Sequence, residues 1–336
     1  MTANSPHIVR RIIVTSCLLA VVFLVAALSG VSIGSSEGGM LTAFQTILGA
    51  GDPDSMLHAI IWKIRLPRVL LAALVGATLS LGGMVFQALL RNPLAEPYIL
   101  GISGGSAIGA IVGILLGLSR FPGVSLTAFA GSIATLALII MMTSGRAVMK
   151  KESLLLSGVM VNAFCSSVIM FLVSVTHDAK LHNILFWLMG DLSSAEIRLV
   201  GILAGMLLPC FVVIFWHSHG MNLLLMGKEM AQVSGINIKA VTITLLVISS
   251  FMVSATVSTC GLIGFVGLVM PHLLRLILGP DHRILVPACI LGGGSYLVLC
   301  DLVARTLPSQ GEMPAGVITA LIGAPLFIML LKRSGR

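Results

Sequence analysis

Between Arg65 and Ser106, two apolar runs of membrane length follow each other with only a short polar hinge between them. The first opens on Arg65-Leu66-Pro67-Arg68, two cations around a proline, and stays apolar to Leu90. The hinge is Arg91-Asn92-Pro93-Leu94-Ala95-Glu96-Pro97, and a second, glycine-studded run starts at once after it. A bilayer core about 30 Å thick takes about 20 apolar residues per helix. Two such lengths joined by a proline-bounded turn fit a polytopic membrane protein and do not fit a soluble enzyme.

Composition extends this to the whole chain. Of 336 residues, 57% are hydrophobic and 10% charged, with a mean hydropathy of +1.09. Soluble domains carry roughly 25% charged residues, so this chain lacks the polar surface to face water on every side. Backbone groups in lipid must be bonded within helices or a closed barrel. The apolar runs are long and continuous rather than short and alternating, which selects helices. The six cysteines (Cys17, Cys165, Cys210, Cys260, Cys289, Cys300) lie in or beside apolar runs with no CxxC pair, and read as small buried hydrophobes.

Ten spans are expected, at about 10–32, 67–90, 97–118, 124–143, 153–174, 197–216, 239–259, 262–278, 284–304 and 314–332. The first follows Arg10 and Arg11 and is too long for a typical signal-peptide core, so it reads as an uncleaved helix. Ten spans put both ends on one side. With the termini inside, 13 of the 20 Lys and Arg residues fall on the inner side, which places both termini in the cytoplasm. The net charge of +8 is spread over many short loops and reports topology rather than nucleic-acid binding. The whole of 1–336 is expected to form one transmembrane domain, with an external loop at 34–64 holding a small surface helix near Leu41–Leu48. Spans two to five and seven to ten read as related halves of opposite orientation, the inverted repeat many transporters use.

Few side chains suggest chemistry. Gly101, Gly105, Gly109, Gly113 and Gly117 recur every fourth residue and paint one flat helix face, suited to close packing within the subunit or to lining a pathway. Segment 221–238 is too polar to span and too apolar for an idle loop. Leu225, Met226, Met230 and Val233 share one helical face and Gly235 is a natural stop, so the segment either docks into a partner's groove or rests on the bilayer. Gly227-Lys228 is no P-loop, because Glu229 stands where Ser or Thr is needed. Asp301 and Arg305, four apart, are expected to pair. His217 and His219 sit at a membrane edge with no carboxylate or cysteine set beside them, and His177 and His182 fall in an external loop; no metal site is expected. No HExxH, GxSxG or paired carboxylates appear, so no catalytic site is expected. No acid is placed at mid-membrane, where ion-coupled carriers commonly hold one.

Many of these segments, taken in order, resemble the FecCD family, the permease subunits of bacterial ABC importers for iron-siderophores, haem and cobalamin. They are Arg65–Arg68, Gly76 through Gln87 into Asn92–Pro97, Gly101–Ser106, Trp187–Gly190, Gly261–His272 through Arg275, Asp281-His282-Arg283, Asp301–Arg305 and Gly323–Phe327. The resemblance implies an all-α, ten-helix, inverted-repeat (type II) permease in the bacterial cytoplasmic membrane. It implies a homodimer with a pathway along its axis, lined by spans five and ten. Two ATPase subunits would bind below, holding the ATP and Mg, with no cofactor on this chain, and a substrate-binding protein would sit outside. Arg65, Arg68 and Arg305 would receive that protein's carboxylates. Met226, Gly227, Glu229, Met230, Ala231, Val233 and Gly235 would form the coupling helix, and Lys151-Glu152-Ser153 a cytoplasmic gate. Such a permease transports without being an enzyme. The rival readings are an ion-gradient-driven secondary transporter and an intramembrane enzyme.

Overall fold

The computed structural model describes residues 5–33, 45, 55–143, 151–226, 237–308 and 311–334. Those residues form twelve α-helices and no strand. They are α1 (Ser5–Ser32), α2 (Met56–Leu90), α3 (Ile102–Leu115), α4 (Ser125–Thr143), α5 (Lys151–Ser174) and α6 (Asp178–Leu188). The rest are α7 (Ile197–Trp216), α8 (Ser218–Met226), α9 (Ile238–Cys260), α10 (Val266–Leu278), α11 (His282–Thr306) and α12 (Ala315–Ser334). Seven are long and apolar enough to cross a membrane and three more, α3, α10 and α12, are shorter apolar helices. These ten account for the ten expected spans, and the chain is a multi-pass membrane protein.

The centre of the bundle is α2. Of its most apolar window 83% is buried inside the protein, against 6% for α1, which lies on the outside against α11. α2 begins earlier than expected. Ser55 caps it by accepting the His58 N–H at 3.2 Å, so residues 56–64 are helical rather than part of an external loop. Pro67 sits inside this continuous helix. A proline lacks an N–H and crowds the preceding turn; one wide π turn at Ile61–Arg65 makes room for it. The surface helix expected near Leu41–Leu48 lies outside the described residues.

Three expected boundaries are corrected. The eighth span does not start at 262. Gly261 turns the chain at φ +74°, and residues 261–265 stay non-helical up to Phe265, itself at φ +68°. The third span is a 3₁₀ turn at Pro97–Leu100 and then α3, entered through Gly101 at φ +68°. The polar stretch after span five is a helix, α6, and not a solvated loop: His177 precedes it, and the His182 ring lies 4.3 Å from that of Phe186.

The halves 66–174 and 238–334 share one pattern of contacts. α3 packs on α4 and α5 as α10 packs on α11 and α12, and α4 meets α5 as α11 meets α12. α2 reaches across to α11 and α10 as α9 reaches across to α4 and α3, and α2 meets α9 between them. In each half the short helix is entered through a left-handed residue, Gly101 in one and Phe265 in the other. At about 20 Å long, neither short helix crosses the bilayer alone.

Close backbone approach fixes the centre. A Cβ on Gly83 would lie 1.9 Å from the Gly267 carbonyl oxygen, and one on Gly76 would lie 2.2 Å from that of Gly293. Gly83→Val therefore has to push α2 off α10 and is expected to cost about 1–3 kcal/mol. Gly201, with nothing within 4 Å of its Cβ position, gains helix propensity on Gly201→Ala, expected to be neutral or stabilising by up to about 1 kcal/mol. Unfolding in a detergent series reads both.

Candidate functional site

Among the described residues, polar side chains gather chiefly in three places. At one end of the bundle, α1, the start of α2, the end of α11 and the loop before α12 bring together Arg65, Arg68, Asp301, Arg305 and Glu312. Arg68 Nε donates to both oxygens of Asp301, at 2.9 and 3.1 Å, and its Nη1 bonds Glu312. Arg305 Nε lies 3.6 Å from Asp301 Oδ2, and its Nη2 donates to the Gly30 carbonyl. Arg65 Nη1 donates to the Val31 and Ser32 carbonyls, both at 3.1 Å, at the end of α1. Asp301 is 1% exposed and Arg68 6%, whereas Glu312 is half exposed at 51%. Among the described residues, three arginines and two carboxylates meet here, and Glu312 is the more exposed of the two acids.

The arginines Arg65, Arg68 and Arg305 are thus placed together, but beneath the surface and engaged within the chain rather than standing free on a rim. The sequence pairs Asp301 with Arg305; the structure adds Arg68 as the tighter partner. Glu312 was not singled out from the sequence. Nothing local marks it, since it reaches Arg68 across 244 positions.

The second place is the broken start of α10. Glu96 Oε1 accepts the Phe265 N–H at 3.0 Å. The Tyr98 hydroxyl donates to the Ile263 carbonyl at 2.9 Å and accepts the Ile263 N–H at 3.2 Å. Pro271 cannot bond back to the carbonyl of Gly267, four residues earlier; Gln87 Nε2 takes that carbonyl and that of Leu268, each at 3.3 Å. The hinge of one half thereby satisfies the unwound backbone of the other.

The third place is the opposite end from Asp301. Asn222 of α8 donates through Nδ2 to Asp281 Oδ1 at 2.7 Å, and its Oδ1 accepts the His282 N–H at 2.9 Å and bonds His282 Nδ1 at 2.8 Å. Asp281 caps α11 by accepting the Arg283 N–H at 3.0 Å. Arg91, left-handed at φ 49° at the end of α2, donates to the Leu224 carbonyl of α8. Burial pushes the Asp281 carboxyl up, but Asn222 and Arg283 bond its charged form and hold it below the usual carboxylate range. Elsewhere, between α6 and α7, Asp191 behaves likewise: burial opposes its charge, and the Ser193 N–H and Arg120 outweigh it.

The remaining expected residues fall as follows. Met226 is the last residue of α8, while Gly227, Glu229, Met230, Ala231, Val233 and Gly235 lie outside the described residues. Lys151, Glu152 and Ser153 form the first turn of α5 rather than a loop. Gly105, Gly109 and Gly113 press on α4, at Thr135, Thr127 and Thr127 again. Gly101 precedes α3 and Gly117, at φ +73°, follows it, so the stripe is three glycines long within the helix. His217 Nδ1 bonds the Val213 carbonyl at 2.9 Å. No group of three or more His, Cys, Asp or Glu side chains able to hold a metal occurs among the described residues.

The ten apolar helices of the described residues define a polytopic membrane protein. The chain belongs to the FecCD transport family, which it matches over residues 9–333. It is 38% identical over 318 residues to the hemin transport system permease protein HmuU of Yersinia pestis, covering 93% of this chain and 94% of that one. It is 39% identical over 276 residues to the vitamin B12 import system permease protein BtuC of Salmonella arizonae, covering 82% and 84%. A solved inward-facing metal-chelate type ABC transporter superposes with a TM-score of 0.84 at 31% identity, over 95% of this chain and 98% of that one. PsaBC from Streptococcus pneumoniae, at a TM-score of 0.56 and 17% identity, shares the fold alone.

Removing one member of a buried ion pair strands its partner's charge. Asp301→Ala leaves Arg68 and Arg305 facing each other and is expected to cost about 3–5 kcal/mol, read by detergent unfolding. A loss under about 1 kcal/mol would mean that both cations reach water.

Proposed function

We propose that this chain is the membrane-spanning permease subunit of an ATP-binding-cassette importer, carrying an iron chelate (siderophore or haem) or cobalamin across the cytoplasmic membrane. The carrying observation is the family match over 9–333 together with near full-length similarity to a hemin and a vitamin B12 permease. Both named cargoes are metal-centred macrocycles, and the superposed transporter is described as of metal-chelate type. Two copies form the pathway, with α5 and α12 lining it. Two ATPase subunits hold ATP and Mg and seat the segment 227–238, and Lys151-Glu152-Ser153 stand at the inner gate. The termini are cytoplasmic, as the basic residues favour. Energy from the ATPases shifts the pair between outward- and inward-facing states.

A substrate-binding protein docks at the outer face around Arg65, Arg68 and Arg305. Because Arg68 is held inside by Asp301 and Glu312, an arriving carboxylate engages it by exchange with half-exposed Glu312. Such pairs steer and orient docking more than they tighten it. Against an ion-coupled carrier stands the position of Asp301. Beyond the first turn of α5 it is the one acid within the described spanning helices, and two arginines already neutralise it. The test is uptake by vesicles holding the permease with its ATPase and binding protein. Uptake of chelate is expected only with all three and ATP; uptake by the permease alone under an ion gradient would overturn the reading.

A further inference from the structure

Asn222 stands at the last described turns before the segment assigned to ATPase contact, and the role of its side chain is not explained by helix packing. Its neighbours Met221 and Leu224 are buried and do the packing. The Asn222 amide instead uses both ends on one target, the start of α11: Nδ2 on the Asp281 carboxylate, and Oδ1 on both the backbone N–H and the ring of His282. Since Oδ1 only accepts, His282 Nδ1 carries the proton. Asp281 in turn holds Arg283 by its backbone and, at 3.2 Å, by its guanidinium. This is a cap made from another helix, and it fixes α8 to α11 by a geometry that only an amide supplies.

The other end of α11 is held as firmly. Asp301 lies 20 residues after Asp281, about 30 Å along the helix axis, and binds Arg68 of α2 and Arg305, which reaches Gly30 of α1. α11 therefore joins the segment next to the ATPase contact to the arginine cluster at the far end. We propose that Asn222 is a positioning residue for transport: it locks α8 to the start of α11, so that a displacement of α8 is carried to α11, the helix whose other end holds the Arg68–Asp301–Arg305 cluster. The inference rests on the importer reading above.

The isosteric Asn222→Asp replaces the Nδ2 donor with a carboxylate oxygen against Asp281, turning an attraction into repulsion at the same shape. Asn222→Asp combined with Asp281→Asn returns one amide and one carboxylate to the pair. Both are measured in vesicles with the ATPase and binding protein, as chelate taken up per ATP hydrolysed. Asn222→Asp is expected to lower that ratio about tenfold, the scale on which substitutions in such links change coupling, while the ATPase still co-purifies. The double variant is expected to recover most of it. A ratio within about twofold of the unsubstituted protein, or loss of ATPase attachment in Asn222→Asp, would overturn the link and leave the importer reading standing. A low ratio that the double variant does not restore at all would overturn it too. Absence of ATP-driven uptake by the unsubstituted protein would instead bring down the importer reading, and the link with it.

Discussion

In lipid, a backbone N–H or C=O that leaves a helix has no water to turn to, and this constraint organises the centre of the molecule. The chain breaks helix at 261–265 and at the hinge before α3, so that α3 and α10 are short helices that complete their spans only together with these non-α-helical stretches. The breaks survive because each supplies what the other lacks. Glu96 and Tyr98 from the first hinge take the backbone of Ile263 and Phe265, and Gln87 takes the carbonyl that Pro271 frees. Gly83 and Gly267 then let α2 lie against that carbonyl. Conserving hydrogen bonds across the breaks thus forces the two halves to share one core.

Charge is distributed by the same economy. Buried and half-buried acids sit where helices end and where a cation or amide from elsewhere can meet them: half-buried Asp281 at the start of α11, buried Asp301 near its end, half-buried Asp191 between α6 and α7. A carboxylate with a guanidinium and a backbone N–H costs far less to bury than one alone. The result is that α11 carries its charged groups near its two ends, Asp281 and Arg283 at one and Asp301 and Arg305 at the other, with apolar and small residues between them.

The sequence made the spans legible, because a run of twenty apolar residues has few other uses in a chain with this little charge. It also exposed the pair Asp301–Arg305, four apart on one helix. It could not show Arg68 or Glu312 joining them, or Asn222 capping α11, because those partners are separated by 233, 244 and 60 positions and nothing local distinguishes them. Helix ends differ where non-helical residues fall inside an expected span: Gly117, at positive φ, stops α3 short of 118, and 262–265 lie outside helix before α10, which an every-fourth-residue pattern or a hydropathy average does not register. α6 was missed for the opposite reason, since its Asp178, Lys180 and His182 hide an apolar face holding buried Ile184 and Trp187.

The packing also limits how such a protein can move. Where glycine backbones touch, as α2 does with α10 and α11, any sliding drives carbonyl oxygens into Cα atoms, and close-packed interiors do not deform gradually. Change must come from rigid groups tilting about their few pinned points. α5 is pinned at Gly158, against the Ile99 carbonyl beside the break before α3, and α12 at Gly323, against Phe265 at the break before α10. Both helices are otherwise broadly exposed, α5 at Val159, Phe164 and Met170 and α12 at Leu321, Ile328 and Met329. The two equivalent helices therefore each touch the unwound point of their own half, and those unwound points are tied to one another through Glu96 and Tyr98. That tie gives the two helices proposed to line the pathway one shared point of support at the centre of the fold.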